Sequence, residues 1–320
     1  MRCERRALME IVPLAEFKAP ESHGLAVTLG NFDGVHRGHR LLVEEVLRLA
    51  REQGDRAAVL TYEPHPARVL RPEAAPAALM TVAQKAEALA ALGVDLLLVQ
   101  AFTSELARMS AEDYARQVLS EALHARTVVL GSGFRFGRGR RGDVPALRAQ
   151  EARLGFAVHE LPPVMDEGLP VSSTRVREAL TRGEVERAAE LLGHPFVNIG
   201  PVVTGDGRGR TIGLPTANLE PENAVVPADG VYAAFARPAA NADARPWPAV
   251  VNVGRRPTFG GGARSVEAHL LDFEGDLYGR RLALAYRHRL RDERRFSGVD
   301  ELLAQVRADI ALARRLLEKG

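Results

Sequence analysis

The hydrophobic rhythm of this chain changes once, between residues 186 and 197, and that change constrains the fold more than any other feature. From residue 25 to about 160, short apolar runs alternate with longer amphipathic ones. The runs at 25–29, 57–61, 95–101, 127–130 and 156–161 have the length of strands. The segments at 39–53, 82–92, 111–123 and 144–154 have the period of helices. Such alternation predicts an α/β unit, a parallel sheet with helices on its faces. After Phe196 the apolar segments are short and are broken by Gly, Pro, Asn and Asp, at 198–203, 230–236, 248–253, 265–271 and 281–289. That pattern predicts a small antiparallel sandwich or barrel. Residues 299–317 carry Leu302, Leu303, Val306, Ile310, Ala313 and Leu317 at helical spacing and predict a closing helix. A length of 320 residues suits two domains.

Composition narrows the possible functions. A hydrophobic content of 46% and a charged content of 26% describe a soluble globular protein, and a net charge of +2 gives no reason to expect a nucleic-acid or membrane partner. The single cysteine, Cys3, can form neither an internal disulfide nor a Cys-x-x-Cys zinc pattern. Glu4, Arg5, Arg6, Glu10 and Glu16 interrupt any signal-peptide pattern, and no apolar run approaches the length of a bilayer. The expectation is a cytoplasmic protein acting on small molecules, with its oligomeric state left open.

The first chemical stretch is Gly30-Asn31-Phe32-Asp33-Gly34-Val35-His36-Arg37-Gly38-His39, between the first strand and the first helix. Free N–H groups and the positive dipole end at a helix start favour phosphate. Gly34 and Gly38 remove side chains where a phosphate would approach, and His36 and His39 project on one side if both lie in the first helical turn. The spacing predicts a bound nucleoside triphosphate. Val171-Ser172-Ser173-Thr174-Arg175-Val176-Arg177 reads as a hydroxyl-capped helix start with two arginines, suited to polyphosphate. Taken alone, such a stretch is more often an ordinary cap with solvated arginines. In the second half, Gly205, Gly207 and Gly213 within Gly205 to Asn218 suit a phosphate-wrapping loop, and by themselves equally a plain flexible one. Thr216 and Asn218 follow at i and i+2 on an extended segment, offering two neutral oxygens to a hard cation. Glu267 lies inside a strand pattern and by itself is as readily an exposed strand carboxylate.

Together these stretches resemble the bacterial bifunctional riboflavin kinase/FMN adenylyltransferase (FAD synthetase) family over residues 12–318. The opening stretch is similar to the family's Gly-x-Phe-Asp-Gly-Val-His-x-Gly-His motif, and Val171–Arg177 to its Ile-Ser-Ser-Thr-x-Ile-Arg motif. Gly205–Asn218 resembles the kinase motif ending Gly-x-Pro-Thr-Ala-Asn. Val251-Asn252-Val253-Gly254, Pro257-Thr258-Phe259 and Val266-Glu267-Ala268-His269 also match. The resemblance implies a Rossmann-like α/β nucleotidyltransferase domain over 1–190, then a six-stranded Greek-key β-barrel riboflavin kinase domain with a C-terminal helix over 191–320. It implies that ATP converts riboflavin to FMN and a second ATP converts FMN to FAD. Glu267 would be the kinase base, with Thr216 and Asn218 holding Mg2+ or another divalent cation. Asn31, Phe32, Asp33, Gly34, Gly38, Ser172, Ser173, Thr174, Gly205, Gly207, Gly213 and Pro215 would line the nucleotide sites. His36, His39 and Arg177 would stabilise charge during adenylyl transfer, and Tyr62 and Phe134 would wall the flavin.

Gly133 stands where the family usually carries Asp or Asn, and Tyr62 where it often carries Phe. Two other readings therefore remain open at this point. In one, only the kinase half is active. In the other, the sheet serves a nucleic-acid-binding or tRNA-modifying protein, which would use the basic run from Arg135 to Arg141 and have no use for Thr216, Asn218 and Glu267.

Overall fold

The strongest apolar runs of the first half become the inner strands of one sheet. The computed structural model describes residues 9–19, 23–205, 214–241, 244–255 and 264–318. Its contacts divide the chain into two units, Met1–Val171 and Ser172–Gly320. In the first unit, β1 (Glu10–Pro13), β2 (Leu25–Leu29), β3 (Arg56–Glu63), β4 (Leu96–Ala101), β5 (Ala125–Gly131) and β6 (Ala157–Leu161) form a six-stranded sheet in the order β1-β4-β3-β2-β5-β6. Every neighbouring pair is parallel. The intervening α-helices are α1 (Arg37–Gln53), α2 (Pro66–Leu70), α3 (Val82–Leu92), α4 (Ser104–Arg108), α5 (Ala111–Tyr114, continued as a π-helix over Ala115–Ala122), α6 (Val144–Arg148) and α7 (Glu151–Leu154).

All five residues of β2 are buried, as a strand covered on both faces requires. Leu25, Val27 and Leu29 join Leu60, Leu98 and Val128 in one core, while Ala26 packs with Val59, Leu97 and the α1 residues Val43 and Val46 in the other. The order reverses at β2, with β3 and β4 on one side and β5 and β6 on the other. A doubly wound sheet binds ligands at such a reversal, beyond the carboxyl ends of its strands. The edge strand β1 has no counterpart in the apolar pattern, because three of its four residues are exposed. The helix expected at 144–154 is two short helices, since Ala149 caps α6 before Gln150 opens α7.

A small hairpin, β7 (Met165–Asp166) and β8 (Leu169–Pro170), ends the first unit. The second contains α8 (Ser173–Thr181), α9 (Val185–Leu192), β9 (Val197–Val203), β10 (Ala217–Leu219), β11 (Gly230–Pro238), β12 (Trp247–Arg255), β13 (Arg264–Leu270), β14 (Arg281–Arg291) and α10 (Val299–Leu317). The strands close into a six-stranded barrel in the order β10-β13-β12-β11-β14-β9, antiparallel throughout. Closure removes the unpaired edges an open sheet would expose. Ala313 and Leu317 of α10 pack on Val231, Ala233 and Val250. The contact division at 171/172 falls before the boundary at 190 expected from the sequence, because α8 packs on α9 and α9 on β14.

Gly200 in β9 has no room for a side chain, since a Cβ there would lie 1.8 Å from the backbone oxygen of Glu220. Backbone cannot swing aside as a flexible side chain can. Gly200→Ala is expected to destabilise the barrel by about 1–3 kcal/mol, read as a lowered unfolding temperature of the second unit.

Candidate active site

The turn after β2 is built from conformations that ordinary residues avoid. Gly34 has φ +88°, and Phe32 and Val35 have φ +48° and +42°. A β-branched residue in this region is a genuine outlier, and such backbone costs on the order of 1–3 kcal/mol per residue. Burial offsets the cost, because Phe32 is 0% and Val35 1% exposed. The turn delivers His36 as the N-cap of α1, where its Nδ1 accepts the His39 backbone N–H at 3.3 Å. A Cβ at Gly38 would press to 3.2 Å from the His36 ring and 3.8 Å from the Val171 carbonyl, so the missing side chain lets the ring fold back over the helix start.

The His36 and His39 rings stack at 3.6 Å with an interplanar angle of 15°, and Phe32 lies 4.8 Å from His39 on a tilt. Burial, then His36, then Lys85 hold the His39 imidazolium well below the usual histidine range. His39 is therefore neutral near pH 7. Its Nδ1 is buried with no partner. A lone pair tolerates that better than an N–H, which puts the His39 proton on Nε2. In neutral His36 the bond accepted at Nδ1 likewise leaves the proton on Nε2.

The family pattern places Asp33 at the nucleotide, and the structure gives its carboxylate a fastening role. It accepts the Leu79 N–H at 3.0 and 3.1 Å and the Met80 N–H at 3.1 Å, 6% exposed. The Asn31 side-chain amide lies 3.0 Å from His65 Nε2, whose other nitrogen accepts the Ala67 N–H. Thr61 donates to the Asn31 carbonyl at 3.1 Å and accepts from Lys85 Nζ at 2.8 Å. No sequence signal marks Lys85, which reads as one more polar residue on an amphipathic helix.

Tyr62 and Phe134 come together through intermediaries. The Tyr62 and Tyr114 hydroxyls are 2.7 Å apart, Tyr114 packs 5.6 Å from Phe136, and Phe136 lies 5.9 Å from Phe134. Phe102 meets Tyr62 edge-on at 5.9 Å. Burial pushes the Tyr62 phenol up to about 12, so it stays a neutral hydrogen-bonding group. Gly133 has φ +83°, and a Cβ there would meet nothing within 4 Å. Asn and Asp also adopt this left-handed backbone, so glycine here omits a polar group without changing the chain path. Arg135 of the basic run bonds Asp143 at 2.9 Å.

Ser172 caps α8, its hydroxyl accepting the Arg175 N–H at 3.4 Å. Ser173 and Arg177 are half-buried and Thr174 is exposed. In the barrel, strand register sets the second site. Glu267 on β13 is the register partner of Asn218 on β10 and of Asn252 on β12, a row across three strands. Asn218 is 8% exposed and Glu267 half-buried. Thr216 and Pro215 line a cleft with Ala268, Asp276 and Tyr278, and His269 holds the Pro215 carbonyl at 2.8 Å from Nδ1. Gly205 has a packing reason, since a Cβ there would meet the Asn218 amide at 2.2 Å. Gly207, Gly213, Thr258 and Phe259 lie outside the described residues. Among the described residues no three His, Cys, Asp or Glu side chains form a metal cage. The neutral oxygens of Thr216 and Asn218 fit a magnesium ion that keeps phosphate and water as its other ligands.

A strand–turn–helix at a sheet reversal, followed by a closed barrel with a carboxylate between two asparagines, has the form of a two-module nucleotide-handling protein. The FAD synthetase family model matches residues 18–175 and the riboflavin kinase model residues 192–317. The chain is 40% identical over 298 residues to a bifunctional riboflavin kinase/FMN adenylyltransferase of Pseudomonas fluorescens, covering 93% of this chain and 94% of that one. It is 39% identical to the Escherichia coli K12 protein of the same description over 297 residues, with the same coverage. A crystal structure described as a macrolide-efflux protein from Streptococcus pneumoniae superimposes with a TM-score of 0.84 at 30% identity, covering 96% of this chain and 99% of that one. Among the described residues of this chain, no helix is long and apolar enough to cross a membrane. The chain belongs to the bifunctional riboflavin kinase/FMN adenylyltransferase family.

Proposed function

We propose that residues 191–320 phosphorylate riboflavin with ATP beside Glu267, and that residues 1–190 adenylylate the resulting FMN at the Gly30–His39 turn. The observation that carries the kinase reading is the register row Asn218–Glu267–Asn252. In that step a neutral ribityl hydroxyl attacks the γ-phosphorus of ATP. Glu267 accepts its proton while the new O–P bond forms and ADP leaves. A positioned base typically contributes about 10²–10⁴-fold. A divalent cation on Thr216 and Asn218 would supply neutralisation of the ATP phosphates.

Adenylyl transfer needs different tools. The FMN phosphate is already ionised near pH 7, so its oxygen attacks the α-phosphorus without a base and pyrophosphate departs. Catalysis is then positioning plus electrostatic stabilisation. His36 and His39 stabilise the phosphate charge, His39 as a neutral Nε2–H donor rather than a cation. The backbone N–H groups at the α1 start add to them, and the family pattern assigns Ser172, Ser173, Thr174 and Arg177 to the same step. Tyr62 and Phe134, held in one aromatic cluster, would face the flavin ring.

Incubating the protein with riboflavin, ATP and magnesium and separating the flavins by chromatography tests the whole reading. Accumulation of FAD is expected. FMN alone would remove the adenylyl assignment, and unchanged riboflavin would sink both.

A further inference from the structure

Lys85 is 5% exposed, on the first turns of α3. An ammonium taken out of water is costly unless it is held by partners. Its Nζ donates to Thr61 Oγ1 at 2.8 Å, and that hydroxyl donates to the Asn31 carbonyl at 3.1 Å. Lys85 is thus joined to the nucleotide turn through the carboxyl end of β3. A second tie runs the other way, from Asp33 in the turn to the Leu79 and Met80 N–H groups just before α3. Burial pulls the Lys85 ammonium below the usual lysine range, opposed by Asp33 in the turn and Glu63 at the end of β3, and the titratable groups acting on His39 are His36 and Lys85.

We propose that Lys85 is a positioning residue for adenylyl transfer: through Thr61 it fixes the turn to β3, and its charge bears on His39 of the stacked pair. The proposal rests on the reading of this turn as the adenylyl site. Two imidazoles stacked at 3.6 Å cannot readily share two positive charges. A buried ammonium nearby makes even the first added proton unfavourable at His39. Its physical consequence is a His39 whose charge does not follow the ordinary histidine titration at roughly pH 6.5. Without Lys85 the smallest of three contributions is removed, burial and His36 remaining, and His39 protonates at a somewhat higher pH than before.

The test compares the wild-type chain with Lys85→Met and Lys85→Gln, measuring conversion of supplied FMN to FAD from roughly pH 5 to 9. Riboflavin phosphorylation on the same preparations reports whether the protein is intact. Wild type is expected to hold its adenylylation rate through the ordinary histidine range. Lys85→Met is expected to lose about 10²-fold in rate and to fall off at a higher pH than wild type on the acid side. Lys85→Gln retains a donor for Thr61 and removes only the charge. It should show the same displaced acid limb with a smaller rate loss. An acid limb unmoved in Lys85→Gln would overturn the proposal, as would unchanged rates in both variants. A wild-type chain that fails to convert FMN would instead remove the adenylyl reading itself.

Discussion

Glu267→Gln is expected to lower riboflavin phosphorylation by about 10²–10⁴-fold while supplied FMN is still converted to FAD. The substitution keeps the size of the side chain and one of its oxygens, so strand β13 should pair as before with Asn218 and Asn252. In the proposed role of Glu267, what it removes is the capacity to take up the ribityl proton. The loss should therefore appear in kcat, with KM for riboflavin changing much less. A chromatographic assay begun separately from riboflavin and from FMN checks both halves on one preparation. Near-normal phosphorylation by Glu267→Gln would mean that the proton leaves by another route. Loss of both activities in a folded variant would contradict separate sites.

The two sites are legible in the sequence to different depths, for physical reasons. A strand, a turn containing Gly34 and a helix beginning near His36 are local features, each encoded within about ten residues. The stacking of His36 on His39 is also local, yet it depends on Gly38 letting the N-cap ring fold back, which spacing alone does not reveal. The placement of Lys85 is invisible in the sequence because its burial against Thr61 is set by tertiary packing between α3 and β3. In the barrel, Glu267 is visible only by family resemblance. Its neighbours Asn218 and Asn252 reach it through strand pairing across tens of residues, and the three-residue β10 is too short to leave a period-2 signal. The boundary behaves similarly. Hydrophobic rhythm marks where helices give way to barrel strands, whereas contact follows α8 and α9 onto the barrel side.

His39→Ala is expected to reduce FAD formation from FMN by about 10²–10³-fold and to leave riboflavin phosphorylation in place. The cap of α1 should survive the change, because His36 Nδ1 is satisfied by the backbone N–H of residue 39 and not by its ring. The lost element is the imidazole between His36 and Phe32, which lie 3.6 and 4.8 Å from it. If the ring acts as an Nε2–H donor to phosphate, the deficit should persist at every pH, since His39 is already neutral near pH 7. A cationic role would instead show a wild-type rate that climbs as the pH falls through the histidine range. Stability gives an independent reading of the same group. Because the native state holds the His39 pKa below the ordinary value of 6.5, its contribution to folding is present above that value and is lost as the pH falls through the native one. The alanine variant lacks this contribution, so the first unit should lose less stability than wild type on acidification from roughly pH 7 to 5. Thermal unfolding at both pH values measures it. Equal acid sensitivity in the two proteins would show that His39 is not held neutral, and would return the imidazolium to the adenylyl-transfer step.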